Sequence, residues 1–339
     1  MVRLIRGNRR SAPGCGKMDA RVPYHPRSES VYRAPLFTAR HGISVSAVSS
    51  AVELRAPGPR GIPPLFARLV DDAALFPPGS APVPEAVTAH LAARGGEYTG
   101  LLGPMLCQAS RLAELITELA KAKPAEPVPL SLVCDTGLGG VPKALSIIEG
   151  RQELLELRMV EMPAPSDVDD VWLERVSEFV PEDVVRVVEP RRGSDELLPA
   201  WLDGIKRVAE HGCWPKLRLS GPTLESVPSV EVVADFLATA STLSVPFKTT
   251  SGVRSAVRGT DPDTGHLRHG FLNLLVATAR CLSGKDVKDA LASTDGAALA
   301  AEANSLADEA ATAVRDVFSS YGSCSLTDPV ADLEGLGLL

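Results

Sequence analysis

The sequence predicts an α/β protein of the (β/α)8, TIM-barrel-like class, and three observations favour it. From about residue 61 onward, short apolar runs alternate with helical patterns, as in parallel βαβ units with right-handed crossovers. Residues 61–339 are close to the roughly 250 residues that such a barrel needs. Aromatic residues make up only 4% of the chain, whereas Gly and Pro number 28 each. We therefore expect an aliphatic core with many turns.

Nucleotide-binding α/β folds are disfavoured by the glycine pattern. No predicted strand is followed by GxGxxG or GxxxxGK[ST], the fingerprints of dinucleotide and P-loop sites. The segment TGLGG at 136–140 is interpreted as an ordinary turn.

The predicted elements begin with two short helices that form an N-terminal helical extension. PLFARLVDDAAL (64–75) has Leu65, Leu69 and Val70 at helical spacing, and PEAVTAHLAARG (84–95) carries Pro84 near its first turn. Six strands alternating with helices follow, and their apolar runs lie at 98–107, 129–135, 154–163, 184–190, 215–221 and 245–252.

Strands seven and eight are the weak point of the barrel pattern. After residue 265 the sequence is mostly Ala-rich helix, so either a short strand lies in GFLNLL (270–275) or the barrel is incomplete. The end of the chain, YGSCSLTDPVADLEGLGLL, is interpreted as a capping segment with a short turn at Pro329.

The first 60 residues follow a different composition from the rest. They hold 11 Lys or Arg against 3 acidic residues, whereas the remainder holds 24 against 39. We interpret residues 1–60 as a disordered basic tail and 61–339 as one barrel domain. The acidic body disfavours nucleic-acid binding, no apolar run is long enough for a membrane helix, and the six cysteines form no zinc-type pattern. A cytoplasmic protein is expected.

Polar residues cluster where the predicted strands end, which is where a barrel places its active site. Lys216, Arg218 and Ser220 alternate with Leu217 and Leu219, so they share one face of their strand. Charged groups inside a barrel lumen require a use, because burial without a partner is costly. The residues concerned are Asp135, Glu161, Glu189, Lys216, Arg218, Ser220, Lys248, Thr250 and Ser251.

The segment VPFKTTSG (245–252) resembles the sixth-strand segment of class I, Schiff-base aldolases and lyases, such as deoxyribose-phosphate aldolase and the N-acetylneuraminate lyase group. The resemblance implies that Lys248 forms an imine. Burial beside the cation Lys216 is expected to lower the pKa of Lys248, and Glu161, Glu189 or Asp135 could move the proton. The alternative is that Lys248 and Arg218 only pair with Glu189 and Glu161 in a structural network.

Residues 64–339 also resemble a family of uncharacterised bacterial and plant proteins. Its marks in this chain are five segments, Asp71 to Gly79, Lys216 to Arg218, Phe247 to Gly252, His269 to Asn273 and Gly322 to Ser325. The resemblance implies an architecture and no reaction. That family carries two histidines shortly after the FK-T-G strand, whereas this chain has Arg254 and Ser255. If those histidines are catalytic, activity is altered or lost here.

Two further features leave alternatives open. His269 follows a polar loop, so it either reaches substrate or caps a helix, and a metal site with His266 lacks a third ligand. Asp71 and Asp72, at the end of the first predicted helix, either serve an Arg or a ligand or make an Asx turn.

The leading functional hypothesis is a Schiff-base lyase or aldolase acting on a small anionic carbonyl metabolite, a sugar phosphate or an oxo acid. We expect Lys248, Lys216, Glu189 and Glu161 to be catalytic, with no metal and no cofactor. The residues expected to bind substrate are Arg218, Thr250, Ser251, Gly252, His269 and Asp135. One alternative is a divalent-metal-assisted barrel enzyme using Glu161, Glu189 and Asp135. Another is a non-catalytic anion-binding barrel, and the oligomeric state stays open.

Overall fold

The computed structural model describes residues 61–165, 167–220, 223, 226–261 and 265–339, so the predicted tail over 1–60 lies outside the described residues. Ten strands occur within these ranges, and eight of them form a barrel. The barrel strands are β1 (Val70–Asp72), β2 (Leu102–Gln108), β3 (Val128–Val133), β4 (Leu155–Pro163), β5 (Val185–Glu189), β6 (Trp214–Arg218), β7 (Phe247–Thr250) and β10 (Phe318–Ser323). The other two, β8 (Gly259–Thr260) and β9 (Leu267–Arg268), form a small antiparallel pair.

The barrel is closed and parallel, which confirms the predicted fold class. Its strands follow the order β1, β10, β7, β6, β5, β4, β3 and β2, and β1 pairs in parallel with both β10 and β2. Closure gives every strand two neighbours and leaves no open sheet edge. All carboxyl ends of the strands therefore meet at one mouth.

Helices connect the strands as crossovers or follow the last strand. They are α1 (Val83–Arg94), α2 (Leu112–Ala122), α3 (Val141–Glu149), α4 (Asp170–Phe179), α5 (Leu198–Glu210), α6 (Val230–Leu243), α7 (Phe271–Leu282), α8 (Lys288–Ala292), α9 (Gly296–Asn304), α10 (Asp308–Val317) and α11 (Thr327–Gly335). Local signals explain several starts. Asp169, Ser229 and Asp295 each accept a backbone N–H of the first turn of their helix. Leu112, Leu115 and Leu119 form the buried face of α2.

The prediction for residues 64–75 is wrong, because this segment holds a strand rather than a helix. A 3-10 turn over Pro64–Phe66 is followed by Arg68 with a φ of 50° and then by β1. All three residues of β1 are buried, because Asp71 points into the filled lumen while Asp72 on the other face packs against His90 of α1. The alternation that marks a half-exposed strand is therefore missing. The predicted helix at 84–95 is confirmed as α1, and it is the crossover from β1 to β2.

The last strands are also placed differently from the expectation. The segment GFLNLL lies in α7, so the strand proposed there is wrong, and β10 completes the barrel instead. Because β1 was missed, VPFKTTSG supplies the seventh strand and not the sixth. The segment after β10 forms helix α11, where the sequence indicated a short turn.

The apolar core lies between the strands and the surrounding helices, while the middle of the lumen is polar. Phe247 packs on Phe236 of α6 and on Phe318, with ring centroids 5.1 and 5.0 Å away. The residue that follows Phe247 on β7 is Lys248, which therefore faces the lumen.

Candidate functional site

The centre of the barrel lumen holds a buried lysine between two carboxylates. Lys248 Nζ on β7 lies 2.5 Å from Asp71 Oδ2 on β1 and 2.5 Å from Glu161 Oε1 on β4. The side chains of all three are at most 2% exposed. Met159 Sδ, two residues before Glu161 on β4, lies 3.4 Å from the same ammonium. A buried cation is thus fully enclosed by carboxylates and a thioether.

A second lysine extends this cluster toward the mouth. Lys216 Nζ on β6 lies 2.7 Å from Glu161 Oε2 and 3.1 Å from Glu189 Oε2 at the end of β5. Glu189 Oε1 in turn accepts from Arg218 Nε at 2.6 Å. The result is a chain of alternating charge from the lumen to the mouth, which we call the lumen chain: Asp71, Lys248, Glu161, Lys216, Glu189 and Arg218.

Strand register explains why these groups meet. Lys216 pairs with Lys248 across β6 and β7, and Arg218 pairs with Thr250 two residues later. Side chains two positions apart share one face of a strand, so the 216 and 218 side chains stand one above the other in the lumen. The alternation predicted from the sequence is therefore found, and Leu217 on the opposite face is buried in the outer core.

The protonation states follow from this pairing. Burial alone disfavours the ammonium of Lys248, but the carboxylates of Asp71 and Glu161 outweigh it and hold its pKa above the ordinary value. At Lys216 burial is likewise outweighed by the carboxylates of Glu161 and Glu189, so the pKa of this lysine is also raised. The expectation that neighbouring cations lower the pKa of Lys248 is wrong, because the carboxylates lie closer to its ammonium.

The carboxylates respond in two ways. Burial raises the pKa of a carboxyl group, yet the two lysines outweigh it at Glu161 and hold the pKa of that group well below its ordinary value. At Asp71 burial prevails over the opposing effect of Lys248, and the pKa of this carboxyl is raised. Asp71 Oδ2 accepts from Ser320, whereas the buried Oδ1 has no hydrogen-bond partner.

Glycine at position 103 makes room for that unpartnered oxygen. A Cβ on Gly103 of β2 would lie 2.2 Å from Asp71 Oδ1, well inside van der Waals contact. Ser131 on β3 completes the polar layer by donating to Glu161 Oε1 at 2.7 Å. Strands β1, β3, β4, β6, β7 and β10 all contribute to this layer.

The mouth above the lumen chain brings together Arg218 and the turn after β7. Ser220 Oγ and Ser251 Oγ lie 2.5 Å apart and join the end of the β6 segment to this turn. Ser251 and Gly252 have φ values of 57° and 80°, and a Cβ on Gly252 would lie 2.6 Å from the Leu219 carbonyl oxygen. Glycine is thus required where the turn presses on the neighbouring segment.

The backbone N–H groups of this turn are a second set of donors beside Arg218. Within the part of the chain that the structure describes, the N–H groups of Ser251, Gly252 and Val253 reach no protein acceptor. Successive N–H groups in a turn can form an anion-binding concavity. Thr250, which precedes them, ends β7 on the lumen side.

A cleft of about 750 Å³ opens beside Arg218 over the ends of β4, β5 and β6. Arg218 is 53% exposed, whereas Glu189 below it is 13% exposed. The cleft is lined by Glu189, Arg191, Arg192, Ser194, Trp201, Arg218, Ser220, Thr223 and Ser226, together with apolar residues. Through this cleft a ligand can reach the outer end of the lumen chain, Glu189 and Arg218.

Two expected substrate-binding residues lie elsewhere. His269 is buried, its Nδ1 accepts from Arg258 at 3.0 Å, and its Nε2 donates to the Pro228 carbonyl at 2.8 Å. Burial lowers the pKa of His269 to about 4, against the raising effect of the Pro228 bond and together with Arg258. Asp135 is exposed and accepts from the backbone N–H and the hydroxyl of Ser110. Both residues have structural partners and neither joins the cleft.

The metal-assisted alternative loses its geometric basis in this arrangement. It requires Glu161, Glu189 and Asp135 around one ion. Instead, Glu161 and Glu189 form ion pairs with Lys216, and Asp135 accepts hydrogen bonds from Ser110. Among the residues described, no group of three or more His, Cys, Asp or Glu side chains is arranged to hold a metal ion.

Three members of the polar layer were missed or misread in the sequence. Asp71 was assigned to a helix end, and Ser131 and Ser320 were not considered, because single serines carry no signal of their own. The neighbouring Asp72 was weighed for a turn, and it does accept from the backbone N–H of Ala74 at 3.0 Å, besides pairing with His90 at 2.9 Å.

None of the described helices is long and apolar enough to cross a membrane.

No protein-family model matches the chain, and no curated protein matches it. Among solved structures, a dihydropteroate synthase of Xanthomonas albilineans in complex with indole-2-carboxylic acid and 6-chloroguanine is 14% identical, with a TM-score of 0.37, over 80% of this chain and 93% of that one. The barrel assignment rests on the strand order of this chain.

Proposed function

We propose that the protein binds a small anionic metabolite at the mouth of its barrel, between Arg218 and the turn over Ser251–Gly252. The observation that carries the proposal is the position of a half-exposed guanidinium at the end of β6, next to a turn after β7 whose N–H groups make no hydrogen bond to the other described residues. Arg218 engages Glu189 through Nε, which leaves its Nη groups to grip a carboxylate or a phosphate.

The charged groups beneath Arg218, Lys216 and Glu189, favour a metabolite with a carbonyl or hydroxyl group next to its anionic end. Lys216 lies two residues deeper than Arg218 on the same face of β6, and its ammonium, paired with Glu161 and Glu189, places positive charge beneath the cleft. Glu189 lines the cleft and can accept a hydrogen bond from a ligand hydroxyl. A sugar phosphate or an oxo acid offers both kinds of group.

An imine-forming enzyme is the second candidate, and Asp71 is the observation that favours it. Its raised pKa and its unpartnered Oδ1 make it the group able to accept a proton from Lys248. The free amine would then add to a substrate carbonyl carbon, and the carbonyl oxygen would leave as water after protonation. This step requires Lys248 to leave two carboxylates, so it ranks below binding.

Binding is tested by isothermal titration with inorganic phosphate, glycerol 3-phosphate and pyruvate. We expect Arg218→Gln to weaken the binding of whichever anions bind by about tenfold to a hundredfold, because a hydrogen bond to a charged group is lost. Arg175→Gln is the matched control, since Arg175 is exposed on α4. Absence of binding by all three anions at millimolar concentration, or equal affinity in Arg218→Gln, would refute the proposal.

The imine is tested separately by borohydride reduction with carbonyl compounds, followed by peptide mass spectrometry. A reduced adduct on the peptide containing Lys248, lost in Lys248→Met, would support it. Adducts confined to other lysines would exclude it while leaving anion binding in place.

A further inference from the structure

Arg191 stands at the wall of the mouth cleft, two residues after Glu189 at the end of β5. We infer that the metabolite carries two anionic groups, one at each end of a short chain, an inference that rests on the proposed function. One group would bind Arg218 and the Ser251–Gly252 turn, and the other would bind Arg191.

The backbone that carries Arg191 is fixed from both sides. Trp201 Nε1 donates to the Pro190 carbonyl at 3.1 Å, and Arg192 Nη2 donates to the Ser226 carbonyl at 3.3 Å. The side chain of Arg191 itself is exposed, and among the described residues it forms no ion pair. The chain on either side of Arg191 is thus anchored, and its exposed guanidinium, which has no ion-pair partner among the described residues, is available to an anion.

The charges around the cleft favour a second anionic group. The lumen chain contains three acids and three bases that pair among themselves, so its net charge is zero. Arg191 adds positive charge to the cleft, and the N–H donors of the turn favour an anion at the other end. A ligand with a single anionic group would satisfy only one of these two places.

Strand spacing sets the length of the ligand. Arg191 follows β5 and the Ser251–Gly252 turn follows β7, with β6 between them. Two strand-to-strand spacings amount to about 10 Å. Because the two arginine side chains reach into this distance, about three to five atoms of the ligand chain fit between its anionic groups. Hydroxyl groups of Ser194, Ser220, Thr223 and Ser226 line the cleft and suit a hydroxylated chain.

Two probes that differ in one group test the inference, 3-phosphoglycerate and glycerol 3-phosphate. Both carry a phosphate on a three-carbon chain, and only the first has a carboxylate at the other end. We expect 3-phosphoglycerate to bind the wild-type protein about tenfold more tightly. Arg191→Gln should abolish this difference and leave the affinity for glycerol 3-phosphate unchanged, whereas Arg175→Gln should change neither.

The outcomes separate the two proposals. If both probes bind equally well to the wild type, or if Arg191→Gln keeps the tenfold preference, the second anion site is refuted and single-anion binding stands. If neither probe binds, and inorganic phosphate and pyruvate also fail to bind, the proposed function itself is refuted. Circular dichroism of each variant shows whether it is folded before the titrations are compared.

Discussion

Lys248 Nζ lies 2.5 Å from Asp71 Oδ2, although the two residues belong to strands that are not neighbours in the barrel. Strand β10 stands between them and contributes Ser320, which pairs in register with Lys248 and donates to Asp71 Oδ2 at 2.7 Å. The same ammonium reaches Glu161 on the far side of the lumen. One buried cation thus links the strands that close the barrel to those opposite.

The first prediction concerns the stability of this link. Lys248→Met should lower the free energy of unfolding by about 3–5 kcal/mol, because it leaves Asp71 buried without its counter-charge. The double variant Asp71→Asn with Lys248→Met should recover part of this loss. Urea unfolding followed by circular dichroism measures both. Lys206→Met, which removes an exposed pair with Asp203, is the control and should change stability little.

Most of the barrel could be predicted from the sequence because six strands are apolar runs bounded by turns. The first and last barrel strands could not. β1 is three residues long and contains two aspartates, and β10 reads FSSYGS, without an aliphatic run. Their pairing with each other supplies the stabilisation, and a tertiary contact of this kind leaves no local signal.

A second prediction concerns Gly103, whose missing side chain accommodates Asp71. Gly103→Ala should lower the free energy of unfolding by about 1–3 kcal/mol, because the new methyl group would overlap Oδ1 and force the carboxylate or β2 to move. Gly139→Ala is the matched control, since nothing lies within 4 Å of the added atom there. Equal stability of the two variants would contradict the steric argument.

A third prediction tests the pair on the outer face of β1. Asp72 accepts from His90 Nδ1 of α1 at 2.9 Å and from the Ala74 N–H at 3.0 Å, and both side chains are buried. Asp72→Ala should lower the free energy of unfolding by about 2–4 kcal/mol, because the buried His90 donor and the partly buried Ala74 N–H lose their acceptor. Asp72→Asn keeps one carbonyl oxygen and should cost less. Thermal unfolding compares the two variants, and an equal loss in both would argue against this pairing.

The candidate site could be predicted in part, for a physical reason. Lys216, Arg218, Glu161, Glu189 and Lys248 were found because charged residues stand out within apolar strands. Their protonation could not be predicted, since it depends on which charges lie nearest. Lys216 was expected to act on Lys248 directly, but Glu161 lies between the two ammonium groups and stabilises both.

The last prediction uses His269, which joins the loop after β9 to the segment before α6. Arg258 donates to its Nδ1, so Nδ1 must be unprotonated, and Nε2 donates to the Pro228 carbonyl. A proton added at Nδ1 would face the Arg258 guanidinium inside a buried site. The folded protein therefore keeps this imidazole neutral, with a pKa lowered to about 4.

In the unfolded chain an ordinary histidine has a pKa of about 6.5, so between pH 6.5 and 4 the unfolded state binds a proton that the folded state does not. Stability from this group is complete above pH 6.5 and is lost as the pH falls, by about 3 kcal/mol in total. Urea unfolding at a series of pH values should show a steeper decline for the wild type than for His269→Gln, which cannot titrate. The difference should appear already between pH 6.5 and 5, above the range in which the paired carboxylates begin to titrate in the unfolded chain. Parallel curves for the two proteins across that interval would show that His269 is protonated as readily in the folded protein as in the unfolded one.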